Sequence, residues 1–348
     1  MPALISHLKK LACTLLAGAL LLTATGAAQA EKKRCLSECR PRIGIVSAFG
    51  AEADILLEQT QKKRDWRING NRFTTGILRG NPVVIVLSGV SMVNATMVTQ
   101  LMLDHFHVER LLMSGIAGGV DPDHHVGDVI VPERWAMPME VYWNGDGSVP
   151  GPCGAAADVG CLGLRLATHD GKARPDFRFE TAAGPVSSGL FMRDSFVMNG
   201  GNAPQGEFRF DFEADAEMLA LARTLRPALA KCGPKNPALC VSTQPMLTVG
   251  GRGVSGTAFL ANPGYRAYLH ETIQAQLVDM ETAAFAQVAY ANRVPFIAFR
   301  SLSDLAGGND FTDVGAFFSS GLAESNEASV TLAFLEAWRQ RRDQQNHR

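Results

Sequence analysis

The chain has 348 residues, of which 33 are Lys or Arg and 34 are Asp or Glu, so that its formal net charge is −1. A near-neutral charge without a basic block gives no electrostatic basis for binding nucleic acid. The length allows two domains, and one large α/β domain with insertions fits equally well. No spacing of His, Cys, Asp or Glu predicts a metal site, and no motif indicates an organic cofactor.

The first 30 residues are expected to be a secretory signal peptide. Lys9 and Lys10 precede an apolar run over residues 11–25, and Ala28-Gln29-Ala30 is typical of a cleavage site. The run is short for a membrane span. We therefore expect an exported, periplasmic or secreted protein that begins near Glu31 and has no membrane attachment after cleavage. A retained N-terminal anchor is the alternative.

Six cysteines follow that segment, and they form three couples of closely spaced residues. The couples are Cys35 with Cys39, Cys153 with Cys161, and Cys232 with Cys240. An even number of cysteines in an exported chain predicts disulfides, and the close spacing favours three local bridges. Free or metal-binding thiols are the alternative, although no His lies at ligand spacing near any couple.

The first half of the chain predicts a parallel or mixed sheet. Apolar runs over residues 42–49, 82–88 and 110–114 each end at a glycine, which places their loops at one edge of the sheet. Glu52 follows the first run, where a helix begins, and a solvated glutamate in the first helical turn is the alternative. The glycines of residues 115–119 lack the spacing of a dinucleotide or Walker loop. They permit a ligand to approach the backbone closely, or they form a plain turn.

The second half predicts an insertion, two helices and a last buried strand. Residues 144–184 are rich in Gly, Ala and Pro, which is typical of an insertion with little core of its own. A helix is predicted over residues 213–229. Residues 278–304 combine a helix of small residues, a turn and an apolar strand that ends at Asp304. The charged tail over residues 339–348 is expected to fray, so that the domain proper covers residues 31–338.

Seven segments carry a resemblance to a known family, and they are spread over residues 42–335 in the family's order. They are Ile43-Gly-Ile-Val-Ser-Ala-Phe49 with Glu52, Leu87-Ser-Gly-Val-Ser-Met-Val-Asn-Ala95, Ser114-Gly-Ile-Ala-Gly-Gly119, Val126-Gly-Asp-Val-Ile-Val131, Val254-Ser-Gly-Thr-Ala-Phe259, Val278-Asp-Met-Glu-Thr-Ala-Ala284 and Arg300-Ser-Leu-Ser-Asp304. In these segments the chain resembles the nucleoside phosphorylase / methylthioadenosine–adenosylhomocysteine nucleosidase family. The resemblance implies a single three-layer α/β domain around a mixed, partly barrel-like sheet. It also implies a homo-oligomer, usually a dimer or a hexamer, with a purine nucleoside as its ligand.

The resemblance implies an acid and a base for breaking an N-glycosidic bond. Asp304 occupies the position that protonates N7 of the purine, and Ser303 would orient it. An aspartic acid works there near neutral pH when burial or its N7 partner raises its pKa. Glu52 matches the general base that activates the attacking water in the hydrolases of this family.

The resemblance also implies a set of binding residues. Glu281 matches the carboxylate that binds the ribose 2′ and 3′ hydroxyls, and Met280 would pack under the sugar. Phe259 matches the residue that stacks on the base, and the backbone of Leu260 would face the base edge. Ser88 lies where the family contacts the nucleophile.

The choice of nucleophile depends on cations, because phosphate binding requires them or clustered amides. The phosphorylase branch of the family carries arginines in the first loop and just before the glycine-rich segment. Here the first loop, residues 49–54, has no arginine, and Met113 stands before Ser114. The sequence therefore favours hydrolysis. Phosphorolysis is the first alternative, and a non-catalytic nucleoside-binding or storage protein of the same fold is the second.

Overall fold

The computed structural model describes residues 35–143, 194–308 and 319–346, together with four short strands between residues 164 and 192. The strands are β1 (Glu38–Ser47), β2 (Gln61–Ile68), β3 (Asn71–Leu78), β4 (Asn81–Leu87), β5 (Phe106–Gly119), β6 (Val129–Val131), β7 (Arg134–Ala136), β8 (Glu140–Trp143), β9 (Leu164–Arg165), β10 (Glu180–Thr181), β11 (Gly184–Pro185), β12 (Gly189–Met192), β13 (Ser195–Asn199), β14 (Ala203–Arg209), β15 (Phe212–Glu213), β16 (Cys232–Gly233), β17 (Asn236–Cys240), β18 (Leu247–Val249), β19 (Arg252–Ser255), β20 (Ala275–Asp279) and β21 (Phe296–Asp304). The helices are α1 (Gly50–Gln59), α2 (Met92–His105), α3 (Ala216–Ala222), α4 (Pro263–Ile273), α5 (Thr282–Asn292) and α6 (Leu322–Asn346).

A mixed sheet of twelve strands forms the centre of the molecule. Strand β1 pairs in parallel with β4 and β5, and β5 pairs in parallel with β21. Antiparallel pairs extend the sheet, with β3 on β4, β20 on β5 and β6 on β21. The sheet branches at β5, which contacts β1, β20 and β21 along its length.

The central strands are buried on both faces. All nine residues of β21 are buried, and β1 is buried from Arg42 onward. A parallel strand with both faces covered reads as a continuous apolar run, which is why these segments lack the alternation of a half-exposed strand. Helices α1 and α6 pack together against the sheet, as do α2 and α5. The predicted α/β domain around a mixed sheet is confirmed.

Disulfides connect the predicted local couples wherever the structure describes them. Cys35 is bonded to Cys39 before the main run of β1, and Cys232 is bonded to Cys240 between β16 and β17. Cys153 and Cys161 lie outside the described residues, as do the expected signal peptide and most of residues 144–184. Among the described helices, none is long and apolar enough to cross a membrane.

Two predicted elements differ from the structure. Helix α3 covers only Ala216–Ala222, so the predicted helix over residues 213–229 begins too early and ends too late. Pro227 prevents the helix from continuing to residue 229, because it has no N–H and its ring would clash with the carbonyl of residue 223 in a helix. The prediction that the chain frays from Arg339 is wrong as far as Asn346, since α6 continues to that residue. Arg341 pairs there with Glu217 at 3.2 Å.

Candidate active site

A cavity of about 220 Å³ opens where β1, β5, β19, β20 and β21 end. In an α/β sheet, the carboxyl ends of the strands are where ligands bind. Every predicted site residue except Ser88 lines this cavity, namely Glu52, Phe259, Leu260, Met280, Glu281, Ser303 and Asp304. The strand ends and the start of α1 therefore bring together residues as far apart in the sequence as Glu52 and Asp304.

Ser88 does not belong to the lining of the cavity. Its side chain is buried at the end of β4, where its hydroxyl donates a hydrogen bond of 2.8 Å to the carbonyl of Gly89. A second, longer contact of 3.4 Å joins the hydroxyl to the carbonyl of Ser47. The hydroxyl thus stabilises the turn between β4 and α2, and the role of Ser88 near the nucleophile stays a prediction.

Glu52 lies in the first turn of α1, directly after β1. Its carboxylate accepts hydrogen bonds from the backbone N–H groups of Ala48 at 2.6 Å, Phe49 at 3.3 Å and Ile116 at 2.9 Å. The interpretation as a solvated first-turn glutamate is wrong, because Glu52 is only 2% exposed. Burial raises its pKa to about 7, although Arg300 and the backbone donors act in the opposite direction.

Arg300 is the functional residue that the sequence analysis missed. It is completely buried in the middle of β21, and its guanidinium lies 2.8 Å from Asp279, 3.4 Å from Glu281 and 3.5 Å from Glu52. It also donates to the carbonyl of Ile116 at 3.2 Å. A charged residue inside an otherwise apolar strand was the available signal, since a buried charge requires partners.

The carboxylates around Arg300 raise its pKa above the usual range, although burial alone would lower it. The guanidinium therefore stays charged and compensates the nearby anions. It is not part of the cavity lining, and its donors are occupied by Asp279, Glu281, Glu52 and Thr282. This arginine holds carboxylates in place and is not a free cation for a ligand.

Glu281 connects the Arg300 cluster to the start of α2. One of its oxygens lies 3.4 Å from the guanidinium, and the other accepts a 2.7 Å hydrogen bond from the backbone N–H of Ser91. Ser91 has a φ of 86°, a conformation that costs energy for a residue other than glycine. This strained backbone aims its N–H at Glu281. Burial raises the pKa of Glu281, and Arg300 opposes that effect.

Asp304 ends β21 at the other side of the cavity. It is 5% exposed, and its carboxyl group accepts hydrogen bonds from the Ser303 hydroxyl at 2.9 Å and the backbone N–H of Ala306 at 2.8 Å. Among the described residues no cation pairs with it. Burial raises the pKa of Asp304, and the two hydrogen bonds reduce that shift.

Two glycines of β5 leave room for these side chains. A Cβ atom on Gly115 would lie 2.2 Å from a guanidinium nitrogen of Arg300 and 2.4 Å from a carboxylate oxygen of Glu52. A Cβ on Gly118 would lie 2.9 Å from a carboxylate oxygen of Asp304. Residues 115–119 form the end of a strand and not the predicted loop, and here glycine admits protein side chains to the backbone.

The remaining lining is mostly apolar and suits a partly hydrophobic ligand. Phe259 is 54% exposed beside the cavity, whereas Leu260 is buried. Met280, Val90 and Ile116 add further apolar surface. Such a lining, with a few convergent polar groups, is the usual composition of a small-molecule site.

The cavity combines carboxyl groups in two different electrical environments. Glu52 is near an arginine and three N–H donors, whereas Asp304 has one hydroxyl and one N–H donor. Two carboxyl groups in unlike surroundings can take opposite roles, one as a base and one as an acid. The arrangement can remove a proton from one side of a ligand and deliver a proton to another.

Comparison with known proteins identifies the family of most of the chain. The family model described as the phosphorylase superfamily matches residues 42–336. The 5′-methylthioadenosine/S-adenosylhomocysteine nucleosidase of Tolumonas auensis is 24% identical over 296 residues, which are 85% of this chain and 99% of that protein. The corresponding nucleosidase of Bacillus cereus strain G9842 is 25% identical over 268 residues, which are 76% of this chain and 87% of that protein.

Solved structures show the same fold. The 5′-methylthioadenosine/S-adenosylhomocysteine nucleosidase of S. pneumoniae, bound to a transition-state inhibitor, has a TM-score of 0.56 at 23% identity and covers 86% of this chain and 100% of its own. The futalosine hydrolase of Helicobacter pylori has a TM-score of 0.54 at 20% identity and covers 87% of this chain and 97% of its own. Since the family model spans nearly the whole described chain, this protein belongs to the phosphorylase superfamily.

Proposed function

We propose that the protein hydrolyses the N-glycosidic bond of a purine nucleoside and releases the free base. The observation that carries this proposal is the pair of buried carboxyl groups, Glu52 and Asp304, that face one cavity from unlike surroundings. Breaking the bond places positive charge on the ribose and negative charge on the departing base. An acid beside the purine can neutralise the negative charge on the departing group by giving it a proton. A carboxylate beside the sugar can stabilise the positive charge there and accept a proton from the attacking water.

Asp304 is proposed as the acid. Burial favours its protonated form, and no cation of the described chain pairs with it to favour the anion. The protonated carboxyl group would donate to N7 of the purine as the bond breaks. Ser303 holds the carboxyl group through a 2.9 Å hydrogen bond, which restricts its orientation.

Glu52 is proposed as the base that takes a proton from water. With a pKa of about 7, a large share of Glu52 is ionised in neutral solution and can accept a proton. None of the described residues that line the cavity is cationic, and four of them carry carboxyl groups. A phosphate ion would meet like charges there, whereas a neutral water molecule would not. Water is therefore the proposed nucleophile.

The lining also supports a nucleoside as the ligand. The Glu281 carboxylate is fixed by Ser91 and Arg300, so it can accept hydrogen bonds from two neighbouring ribose hydroxyls. Met280 would pack against the sugar and Phe259 against the base. The relatives named above act on methylthioadenosine and adenosylhomocysteine, and an adenosine- or methylthioadenosine-like substrate is proposed here by similarity.

The test is an assay of the purified chain with adenosine, inosine and methylthioadenosine, each with and without phosphate. We expect release of the base and of the free sugar, which is ribose or, from methylthioadenosine, methylthioribose, at the same rate in both buffers. Base release that requires phosphate and yields the sugar 1-phosphate would instead establish phosphorolysis. Tight binding of a nucleoside without any turnover would establish a binding or storage protein.

Two further properties are proposed with this function. Export is proposed from the N-terminal signal sequence, and fractionation of producing cells tests it, with a cytoplasmic full-length chain as the contrary result.

Self-association is proposed because Val90, Val93 and Met97 expose apolar surface at the start of α2, and Val90 also lines the cavity. Light scattering of the purified chain should show a dimer or higher oligomer, and a monomer would contradict it.

A further inference from the structure

A further buried glutamate, Glu327, lies behind the site and takes no part in the proposed chemistry. Glu327 belongs to α6, and it is 0% exposed. One carboxyl oxygen accepts hydrogen bonds from the hydroxyl of Ser114 and, at 2.6 Å, from that of Thr331. The other oxygen has no hydrogen-bond partner within the described part of the chain.

Ser114 connects this glutamate to the site through strand β5. Two residues further along the strand, the N–H of Ile116 donates to Glu52 at 2.9 Å. The carbonyl of the same residue accepts from Arg300 at 3.2 Å. The stretch from Ser114 to Ile116 is thus held by Glu327 at one end and by the Glu52–Arg300 pair at the other.

Glu327 has few charged neighbours, and they include both a carboxylate and a guanidinium. Glu52 faces it from α1 and Arg300 faces it from β21, while β5 contributes only the Ser114 hydroxyl. On its own helix, Glu324 lies one turn earlier and interacts with Lys235. Arg300 is already shared by Glu52, Asp279 and Glu281. A fourth carboxylate in this cluster would have no cation of its own.

A fully buried carboxyl oxygen without a hydrogen-bond partner costs more free energy in the ionised form than in the neutral form. Burial raises the pKa of Glu327 to about 8, the hydroxyls of Ser114 and Thr331 lower it, and the charge of Glu52 raises it further. Full burial and the unpaired oxygen thus favour the neutral carboxylic acid form of Glu327.

We propose that Glu327 is a positioning residue of the site, which supports Glu52 and Arg300 through Ser114 and strand β5 as long as its carboxyl group is neutral. Ionisation of Glu327 creates a fourth anion that competes for Arg300. The guanidinium is then drawn away from Glu52, and turnover falls. This inference rests on the proposed hydrolytic function and deepens it.

The test compares wild type with Glu327→Gln, an isosteric side chain that keeps an oxygen acceptor for Ser114 and cannot ionise. The quantity to measure is the ratio of kcat at pH 9 to kcat at pH 7. Loss of a required proton costs about tenfold per pH unit, so this ratio should be about tenfold larger in Glu327→Gln than in wild type. Deprotonation of Asp304 affects both proteins equally and cancels in the comparison. An equal ratio in the two proteins overturns the inference.

Ser114→Ala provides a second variant that does not change Glu327 itself. The Ser114 hydroxyl stabilises the ionised form of Glu327, so its removal raises the pKa of Glu327 and moves the alkaline loss of kcat to higher pH. A loss that stays in place or moves to lower pH contradicts the inference. Glu324→Gln is the matched control, because it removes another buried carboxyl group of α6. A changed pH ratio in that control would also count against a specific role of Glu327.

An infrared spectrum of protein labelled with ¹³C-glutamate gives a readout that does not depend on activity. At pH 7 wild type should show the carbonyl band of a protonated glutamic acid that is absent from Glu327→Gln. Its absence from wild type overturns the inference even if no nucleoside is turned over. If wild type hydrolyses nucleosides and the pH ratios are equal, the inference fails alone and the proposed function stands.

Discussion

The two ends of the cavity hold carboxyl groups under opposite electrical conditions. At one end Glu52, Asp279 and Glu281 surround the buried Arg300. At the other end Asp304 has a hydroxyl and an N–H for partners and no cation among the described residues. Both ends are buried, so burial alone does not decide which carboxyl group keeps its proton. The guanidinium of Arg300 is the main difference between the two ends, because it favours the ionised form of Glu52 and has no counterpart among the described residues beside Asp304.

The largest effect is expected at the end without a cation. In Asp304→Asn the acid is lost but the shape of the cavity remains, so kcat should fall by about 10²–10⁴-fold. Binding of a nucleoside should change little, since Phe259 and Glu281 are untouched. Steady-state kinetics and calorimetry measure the two effects, with exposed Asp123→Asn as the control. Unchanged kcat would remove Asp304 from the mechanism.

The next largest effect is expected from removing Arg300, and it should appear as a lower free energy of unfolding. Arg300→Met leaves Glu52, Asp279 and Glu281 buried without their cation, and breaking such a cluster typically costs 3–5 kcal/mol. Chemical denaturation should show a loss of this order, whereas exposed Arg67→Met should show almost none. A stable Arg300→Met protein with normal activity would mean that the carboxyl groups are neutral without the arginine.

The pH dependence of kcat/KM in wild type should depend on the ionisation of both Glu52 and Asp304. A base must be ionised, so kcat/KM should rise with pH and level off as Glu52 loses its proton near pH 7. Loss of the Asp304 proton should oppose this rise, because Asp304 must keep its proton to act as the acid and burial raises its pKa. The acidic limb should be absent from the residual activity of Glu52→Gln, and Asp54→Asn on the same helix should retain it. An acidic limb that survives in Glu52→Gln belongs to another group.

The smallest effect is expected from Ser303→Ala. The Ser303 hydroxyl favours the ionised form of Asp304, so its removal should raise the pKa of Asp304. The alkaline limb should move up by about one pH unit, which corresponds to the loss of one hydrogen bond to a charged group. A downward shift in the pH profile of kcat/KM would show that Ser303 donates to the neutral acid instead.

The fold was predictable because its signals are local. Strands buried on both faces appear as continuous apolar runs, and their carboxyl ends are marked by glycine. The positions of Glu52, Glu281 and Asp304 follow from those ends, and the structure places all three around one cavity. The hydrogen bonds of Ser88 were not predictable, because the direction of its side chain depends on the turn that follows the strand.

The partners of Arg300 and Glu327 could not be read from the sequence. Arg300 meets residues that lie between 18 and 248 positions away, and Glu327 meets Ser114 across 213 positions. These contacts depend on how helices α1 and α6 pack on the sheet. An isolated arginine in an apolar strand indicates that charged or polar partners exist, but the sequence does not show which residues they are. The contacts of buried charges are therefore the part of the site that required a structure.

The raised pKa values of the buried glutamates also set how the fold responds to acid. Glu52 and Glu327 bind protons more tightly in the folded chain than at their ordinary pKa of 4.5, with folded values of about 7 and about 8. Their contribution to the free energy of unfolding is fully present below pH 4.5 and is lost as pH rises to 8. Turnover, however, requires an ionised Glu52. The protein should thus gain activity over the same pH interval in which these two groups make it easier to unfold.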